Sequence, residues 1–489
     1  MVPRSVSLSA LAAVVGFLAF VEFTSGVLQG YYTPMLSDIA RHLQIHDADV
    51  NWFEGTQLML SALVVPAFAK LGDMVGHKRM LLISTALTAV AALALPFTDS
   101  FWVFLVAWTL MGFYVVWLPL EIALIWSRSR KMEGRSILTA RAAGLLVAAL
   151  EAGAIGGALI GGALIDVLPL TIVLLIPALL VIVCFFVILF GVKESPDSTG
   201  GVLDMVGLVL ISIALICFTG GLSMLRLDGG LVNPWSWIVV ALGLLLVVPF
   251  ALWELRHDDP LIDVRMFRSP ALWPVFVTAG LFGVSVLGAQ APLSTFARTD
   301  PSVYGYGLGT TGFATSLIIG IYLIGMITGA LLYSKIARLT TPRLTLIGAA
   351  LLVGIGFSMF LPFHDSYAQV ITNMVIVGLG SGALVAALPA AAASAAPATQ
   401  TGVATGLTNS VKTVGGAIAS CIFGIALLHG FAATASGAEG TAGSLEGYMI
   451  VWIVCGATAL AAAVLLLFVP KNSFTDHAVD AAEELPVLP

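Results

Sequence analysis

Acidic side chains lie inside several long apolar stretches of this chain. Glu22 shares a helical face with Ser25 and Gln29, and Glu54 shares one with Gln57. A carboxylate at the centre of a bilayer costs on the order of 3 kcal/mol on insertion scales, so one found there is a candidate for function. Removal from water favours the neutral form of a carboxyl group, which suits a group that carries a proton or binds and releases a cation.

Three more charged residues occupy comparable positions, namely Glu121, Glu151 and Lys412. We predict proton coupling at Glu22, Glu151 and Glu121. The structural alternative is a buried pair, such as one glutamate with Lys412, that only holds helices together. The predicted substrate cavity consists of the polar and aromatic residues Ser25, Gln29, Tyr114, Trp117, Glu54, Gln57, Lys412 and Asn409.

The elements that must position these residues are membrane-spanning helices. The chain of 489 residues is 59% hydrophobic and 10% charged, whereas soluble domains carry about 25% charged residues. A hydrocarbon core of about 30 Å needs about 20 apolar helical residues, and spans in lipid must satisfy their own backbone hydrogen bonds. Fourteen such runs are predicted at 8–35, 52–71, 80–98, 101–126, 137–165, 169–192, 205–225, 235–255, 271–295, 311–334, 343–362, 367–395, 405–430 and 447–469.

Charge distribution predicts the orientation of these spans. Most of the 21 Lys and Arg residues fall at the ends that are cytoplasmic if the N-terminus is inside. The sequence therefore predicts a multi-pass protein of a bacterial plasma membrane with both termini cytoplasmic. The first run is interpreted as a retained span, and 471–489 is predicted to be a disordered acidic tail. The net charge of −6 argues against a nucleic-acid partner.

Enzyme and cofactor signatures are missing from the sequence. No Gly-x-x-x-x-Gly-Lys-Ser/Thr loop occurs, so ATP-driven transport by this chain is not predicted. The four cysteines lie in apolar runs without metal-ligand spacing, which favours small buried hydrophobic side chains. We predict no metal, no cofactor and no enzymatic activity.

A basic loop after the second run carries the most specific motif. The segment 69–79 reads Ala-Lys-Leu-Gly-Asp-Met-Val-Gly-His-Lys-Arg. It resembles the G-x-L-x-D-R-x-G-R-R signature between spans 2 and 3 of the major facilitator superfamily, with Ala69 and Met74 as departures. The alternative is a generic positively charged loop. By resemblance, Asp73, Gly76, Lys78 and Arg79 are predicted to act in gating.

The fifth run contains a glycine motif, Gly-x-x-x-Gly-Ala-x-x-Gly-Gly over 153–162. It resembles the antiporter motif G-x-x-x-G-P-x-x-G-G of the same superfamily. The glycines recur every four residues and can form a smooth stripe against which another helix packs or slides. Packing without a coupling role is an equal alternative. The predicted gating residues here are Gly153, Gly157, Gly161 and Gly162.

Two further stretches, 204–207 and 254–263, resemble the 14-span drug:proton antiporter family, as does the segment containing Asn409. The resemblance implies an all-α major facilitator fold of two six-helix bundles plus two extra central helices. The domains are predicted as an N-terminal bundle 1–192, an insert with linkers 193–270, a C-terminal bundle 271–470 and the tail 471–489.

One departure concerns the proton pathway of that family. Its fourth span carries R-x-x-Q-G, whereas this chain has Trp108 and Met111 before Gly112. We predict export of an apolar or cationic organic compound by proton antiport in a monomer surrounded by lipid. The alternatives are a lipid or lipid-like metabolite transporter without standard proton coupling and, from another class, a non-transporting membrane sensor or scaffold.

Overall fold

The computed structural model describes residues 8–129, 135–194, 203–227, 230–257, 260–396, 401–428 and 440–469. The predicted acidic tail, 471–489, lies outside these residues, as does part of the basic segment after the fourth span. All regular structure in the described part is helical. The α-helices are α1 Leu8–Tyr31, α2 Leu36–His42, α3 Val50–Val75, α4 His77–Ala94, α5 Phe101–Met111, α6 Trp117–Arg128, α7 Arg135–Ile165, α8 Leu170–Gly191, α9 Met205–Leu225, α10 Pro234–Glu254, α11 Trp273–Val286, α12 Gln290–Arg298, α13 Pro301–Tyr304, α14 Gly312–Leu339, α15 Pro342–Met359, α16 Tyr367–Ala395, α17 Thr401–Leu428 and α18 Leu445–Leu465.

Helix length and apolar composition agree with the predicted membrane spans. Within the described residues, 13 helical segments are long and apolar enough to cross a bilayer. Helix α1 adds a further segment of 24 residues. The set is consistent with fourteen spans, and the all-helical membrane fold is confirmed.

Two predicted spans are not continuous α-helices. The fourth run, predicted as 101–126, contains a 3-10 segment at Gly112–Val116 between α5 and α6. The ninth, predicted as 271–295, is interrupted between α11 and α12, and Pro292 stands near the start of α12, where an amide donor is not needed. The first α-helix also ends at Tyr31, before Pro34 in a 3-10 turn.

Two separate hydrophobic cores organise the helices. The first is built almost entirely from residues of α1–α8, and we call these helices the first bundle. The second is built almost entirely from residues that follow α10, and we call α11–α18 the second bundle. Helices α9 and α10, the insert, pack mainly on each other, and α9 also contacts α3 and α17.

Glycine permits a close helix contact in each bundle. On α7, a Cβ at Gly153 would overlap the Phe23 carbonyl oxygen of α1. On α17, a Cβ at Gly415 would overlap the Gly280 carbonyl oxygen of α11. Small residues allow backbones in lipid to approach in this way. The two contacts hold α1 and α17, which carry functional candidates, firmly within their own bundles.

Candidate functional site

A cavity of about 1320 Å³ lies between the two bundles. Its wall combines apolar side chains with a small set of polar and charged groups, as in sites for organic ligands. The first bundle contributes Glu22, Ser25, Gln29, Glu54, Gln57, Tyr114 and Glu151, and the second contributes Gln290, Tyr322, Asn409 and Lys412.

The cavity extends to one end of the helices. Its wall there includes Lys70 and Asp73 of α3, with Asp204 and Asp263 beside the insert. We call this end, which also carries the loop at Gly76, the basic face. The other end, where α2 and α12 lie, is called the opposite face. A ligand can therefore enter the cavity from the basic face.

Two carboxyl groups meet where α1 passes α6. Glu22 and Glu121 are fully buried, and their side chains lie within hydrogen-bonding contact of each other. None of their four carboxyl oxygens accepts a hydrogen bond from any other described group. Glu22 also lines the cavity, whereas Glu121 lies behind it. Sequence reasoning proposed both residues but missed their contact, because nothing local relates positions 99 residues apart.

Glu151 and Lys412 interact electrostatically across the cavity. Glu151 lies on α7 of the first bundle and Lys412 on α17 of the second. Tyr322 of α14 lies near them and interacts electrostatically with Glu151. This arrangement places opposite charges of the two bundles on facing walls of the cavity.

Aromatic side chains share the cavity wall of the first bundle with Glu54. Tyr114 interacts electrostatically with Glu54, and both line the cavity. Trp108 packs edge-on against Tyr32 with ring centroids 5.0 Å apart. Neither the Trp108 indole N–H nor the Tyr32 hydroxyl has a hydrogen-bond partner among the described residues. An anion within aromatic walls can hold an organic cation, because cations favour ring faces.

The remaining predicted cavity residues fall in two groups. Ser25, Gln29, Gln57 and Asn409 line the cavity with Glu54, Tyr114 and Lys412. Trp117 is not among the residues that line the cavity, and its ring is buried in the first core, edge-on to Tyr114 with ring centroids 6.3 Å apart. The predicted position of Trp117 on the cavity surface is therefore corrected.

The basic loop is held within the first bundle. Gly76 has φ +115°, a conformation that favours glycine. The Glu194 carboxylate caps the start of α4, accepting from the amides of Lys78 at 2.9 Å and Arg79 at 3.1 Å. Asp73 Oδ1 lies 3.2 Å from His77 Nε2. Sequence reasoning missed Glu194, although a carboxylate is a natural partner for a helix N-terminus.

The predicted glycine stripe of α7 has two contact surfaces. Cβ atoms at Gly153, Gly157 and Gly161 would collide with the α1 backbone, within the first bundle. A Cβ at Gly162 would instead collide with the Gly312 carbonyl oxygen of α14, in the second bundle. Only this last glycine of the predicted set lies at a contact between bundles.

The opposite face carries polar bonds between the bundles. Arg298 Nη2 of α12 donates to Asp38 Oδ2 of α2 at 2.8 Å and to Oδ1 at 2.9 Å. The Asp166 carboxylate, just after α7, accepts from the amides of Gly312 at 2.8 Å and Phe313 at 2.9 Å at the start of α14. We call these two contacts the opposite-face latch. It holds the bundles together at the end away from the cavity mouth.

The insert contributes to the mouth of the cavity. Asp204 caps α9 by accepting from the Gly207 amide at 2.8 Å, and Trp253 Nε1 donates to the same carboxylate at 3.0 Å. Glu254 accepts from the Ile262 amide at 3.2 Å. These contacts give Asp204, Gly207 and Glu254 of the two insert motifs a structural role, because they hold α9 and the linker that leads into α11.

Comparison with known proteins agrees with this architecture. The family model "Major Facilitator Superfamily" matches residues 18–420 and 308–488. A relative, "Uncharacterized MFS-type transporter YwoD" of Bacillus subtilis (strain 168), is 25% identical and covers 90% of this chain and 93% of its own. The "Tetracenomycin C resistance and export protein" of Streptomyces glaucescens is 25% identical over 79% of this chain and 70% of its own. The solved structure of the nucleoside transporter NupG shares the fold at TM-score 0.64, with 11% identity, over 94% of this chain and 98% of its own.

Proposed function

The chain belongs to the Major Facilitator Superfamily, and we propose that this multi-pass membrane transporter exports an organic compound from the cytoplasm in exchange for protons. The observation that carries the proposal is one cavity between two bundles whose wall holds Glu22, Glu54, Glu151 and Lys412. A transporter needs a binding site that both faces can reach in turn, and midplane sites between repeats serve that purpose. Export is supported by relatives with resistance and export functions.

We assign the roles as follows. Glu22, Glu121 and Glu151 are the candidates for proton coupling, since they are buried carboxyl groups in or next to the cavity. The polar and aromatic wall around Glu54 binds the compound. Its apolar surface and carboxylates favour an apolar or cationic organic molecule.

Alternating access would follow from movement of the bundles. We propose that 1–192 and 271–470 move relative to each other, with 193–270 as a linking insert. The loop residues Asp73, Gly76, Lys78 and Arg79 would act when the basic face closes. Of the α7 glycines, Gly162 would act at the contact between the bundles, and Gly153, Gly157 and Gly161 would keep α1 and α7 together as one unit during the movement. The basic face and both termini are assigned to the cytoplasm of a bacterial cell, and the transporter is assigned as a monomer in lipid.

Proteoliposome transport is the direct test. The purified chain is reconstituted, and uptake of tetracenomycin C or of the cationic dye ethidium is followed with and without an imposed pH gradient. We expect inside-acid vesicles to accumulate at least one probe in inside-out oriented protein, and collapse of the gradient to abolish accumulation. Equal uptake with and without the gradient would exclude proton antiport of these probes.

Glu22→Gln tests the role of Glu22 in proton coupling in the same transport assay. Glutamine keeps the shape of a protonated glutamate and lowers the insertion cost, so membrane abundance should survive. We expect gradient-driven accumulation to be lost. Glu446→Gln, at an exposed position of α18, is the control and should transport as the wild type does. Accumulation by Glu22→Gln with an unaltered pH dependence would remove Glu22 from coupling.

A further inference from the structure

We propose that Glu22 and Glu121 form a carboxyl pair that always retains one proton between them and exchanges a second proton with the cavity. The inference deepens the proposed function, since it names the proton-binding unit of the same site. It starts from the contact of two fully buried side chains whose four oxygens have no other hydrogen-bond partner among the described residues.

Full ionisation of the pair is excluded by its surroundings. Two adjacent carboxylates would repel each other in an apolar interior and would leave four buried acceptors without a donor. One shared proton supplies the missing donor, because a protonated carboxyl group donates to its ionised neighbour. The singly protonated pair carries one negative charge, and the doubly protonated pair carries none.

No described cation compensates the pair. On α1 and α6 themselves the one described cation is Arg128, at the end of α6, and its guanidinium donates to the Lys193 carbonyl oxygen at 2.9 Å. The charged and titratable groups on the elements packed against α1 and α6 are Cys184 on α8, Glu151 and Arg141 on α7, Glu54, Lys70 and Asp73 on α3, Tyr114 on the 3-10 segment before α6, and His77, Lys78 and Arg79 on α4. Among these described groups, Cys184 interacts electrostatically with both glutamates. A thiol is a weak donor and brings no positive charge, so within the described part of the chain the proton alone compensates the charge of the pair.

The positions of the two glutamates give them different roles in proton exchange. Glu22 lines the cavity and can receive a proton from it, whereas Glu121 lies behind Glu22 and reaches the cavity through it. In the singly protonated form the negative charge attracts a cation in the cavity. Arrival of the second proton cancels that charge and weakens the attraction. Proton binding and cation binding therefore compete at the same place.

Infrared difference spectroscopy of the reconstituted full chain tests the pair without any substrate. The readout is the C=O stretching band of a protonated carboxyl group, recorded at alkaline and at acidic pH. In the wild type we expect one buried protonated carboxyl at alkaline pH and two at acidic pH. The band at alkaline pH should vanish in both Glu22→Gln and Glu121→Gln, because the glutamine amide replaces the carboxyl as donor to the remaining carboxylate.

Each alternative outcome is decisive. A wild type with no such band at alkaline pH would show that the pair is fully ionised, and a band that persists in Glu121→Gln would show that the proton does not depend on the pair. Glu446→Gln should leave the spectrum unchanged and serves as control. If the band behaves as expected while proteoliposomes show no gradient-driven transport, the shared proton of the pair is supported. The proposed antiport is then rejected. Antiport without the band would reject the pair alone.

Discussion

At the scale of single residues, the sequence identified the charged candidates but did not show which of them contact each other. Charged residues inside apolar runs are visible in the sequence, because insertion of a charge is unfavourable wherever it occurs. Their partners are not visible, because Glu22 with Glu121 and Glu151 with Lys412 come together only through helix packing. The same packing buries Trp117, which the sequence placed on the cavity surface.

Trp108 shows how one residue changes the chemistry of the site. The 14-span family that the chain resembles has an arginine at this position, which would place a cation beside α1. Here the indole packs among Tyr32, Phe53 and Phe104, with centroids 5.0 Å, 5.6 Å and 5.9 Å away. The described cavity wall of the first bundle therefore combines aromatic rings with Glu22, Glu54 and Glu151, which supports the proposed preference for a cation.

Glu54→Gln tests this residue-scale argument. Glu54 forms no ion pair with a described residue, so its carboxyl group can meet a ligand in the cavity. Loss of one close opposite charge should weaken ethidium binding about tenfold, which corresponds to about 1.4 kcal/mol. Binding is measured by dye fluorescence with purified protein. Glu446→Gln should bind as the wild type does, and unaltered affinity in Glu54→Gln would place the cation elsewhere.

At the scale of elements, the bilayer makes the sequence informative. A span must be long, apolar and helical, so predicted and observed helix ends agree within a few residues for most spans, such as 367–395 and Tyr367–Ala395. The interruptions at Gly112–Val116 and after Val286 were missed. Hydropathy cannot reveal them, because apolar residues continue through each interruption.

The contact of α1 with α7 supplies a prediction with an internal control. A methyl group at Gly153 would overlap the Phe23 carbonyl oxygen, whereas a Cβ at Gly156 meets nothing within 4 Å. Overpacking costs about 1–3 kcal/mol, while alanine otherwise favours helix by about 1 kcal/mol. Gly153→Ala should lower the melting temperature in detergent by a few degrees, and Gly156→Ala should not. Equal melting of both variants would contradict the close contact.

At the scale of the whole molecule, orientation is open to a direct test. Val75 is exposed on the basic face and Asp365 is exposed on the opposite face, whereas His77 is buried and unsuitable for labelling. In intact cells, a membrane-impermeant thiol reagent should label Asp365→Cys but not Val75→Cys. The background should have its four native cysteines replaced by alanine. Labelling of Val75→Cys in intact cells would reverse the assigned topology.

Which face is open could not be predicted from sequence, because alternating-access states share the same spans and differ only in contacts between bundles. In this structure those contacts include the opposite-face latch, in which Asp38 and Arg298 are 15% and 12% exposed. Hydrogen bonds to charged groups contribute about 1.5–3 kcal/mol. Asp38→Asn should therefore shift the equilibrium towards opening of the opposite face by about tenfold or more.

Accessibility of the cavity measures this shift. Gln29 lines the cavity, so Gln29→Cys in the same cysteine-replaced background places a thiol there. We expect Asp38→Asn to accelerate labelling of this thiol by an impermeant reagent that reaches it from the opposite face. Asp99→Asn is the matched control, since Asp99 is 89% exposed and lies beside His42 within the first bundle. The exchange Asp38→Arg with Arg298→Asp should restore slow labelling, because it rebuilds the ion pair. Equal labelling of wild type, Asp38→Asn and Asp99→Asn would show that the pair does not hold the bundles together, and the Asp166 contact with the start of α14 would be the remaining bond of the latch.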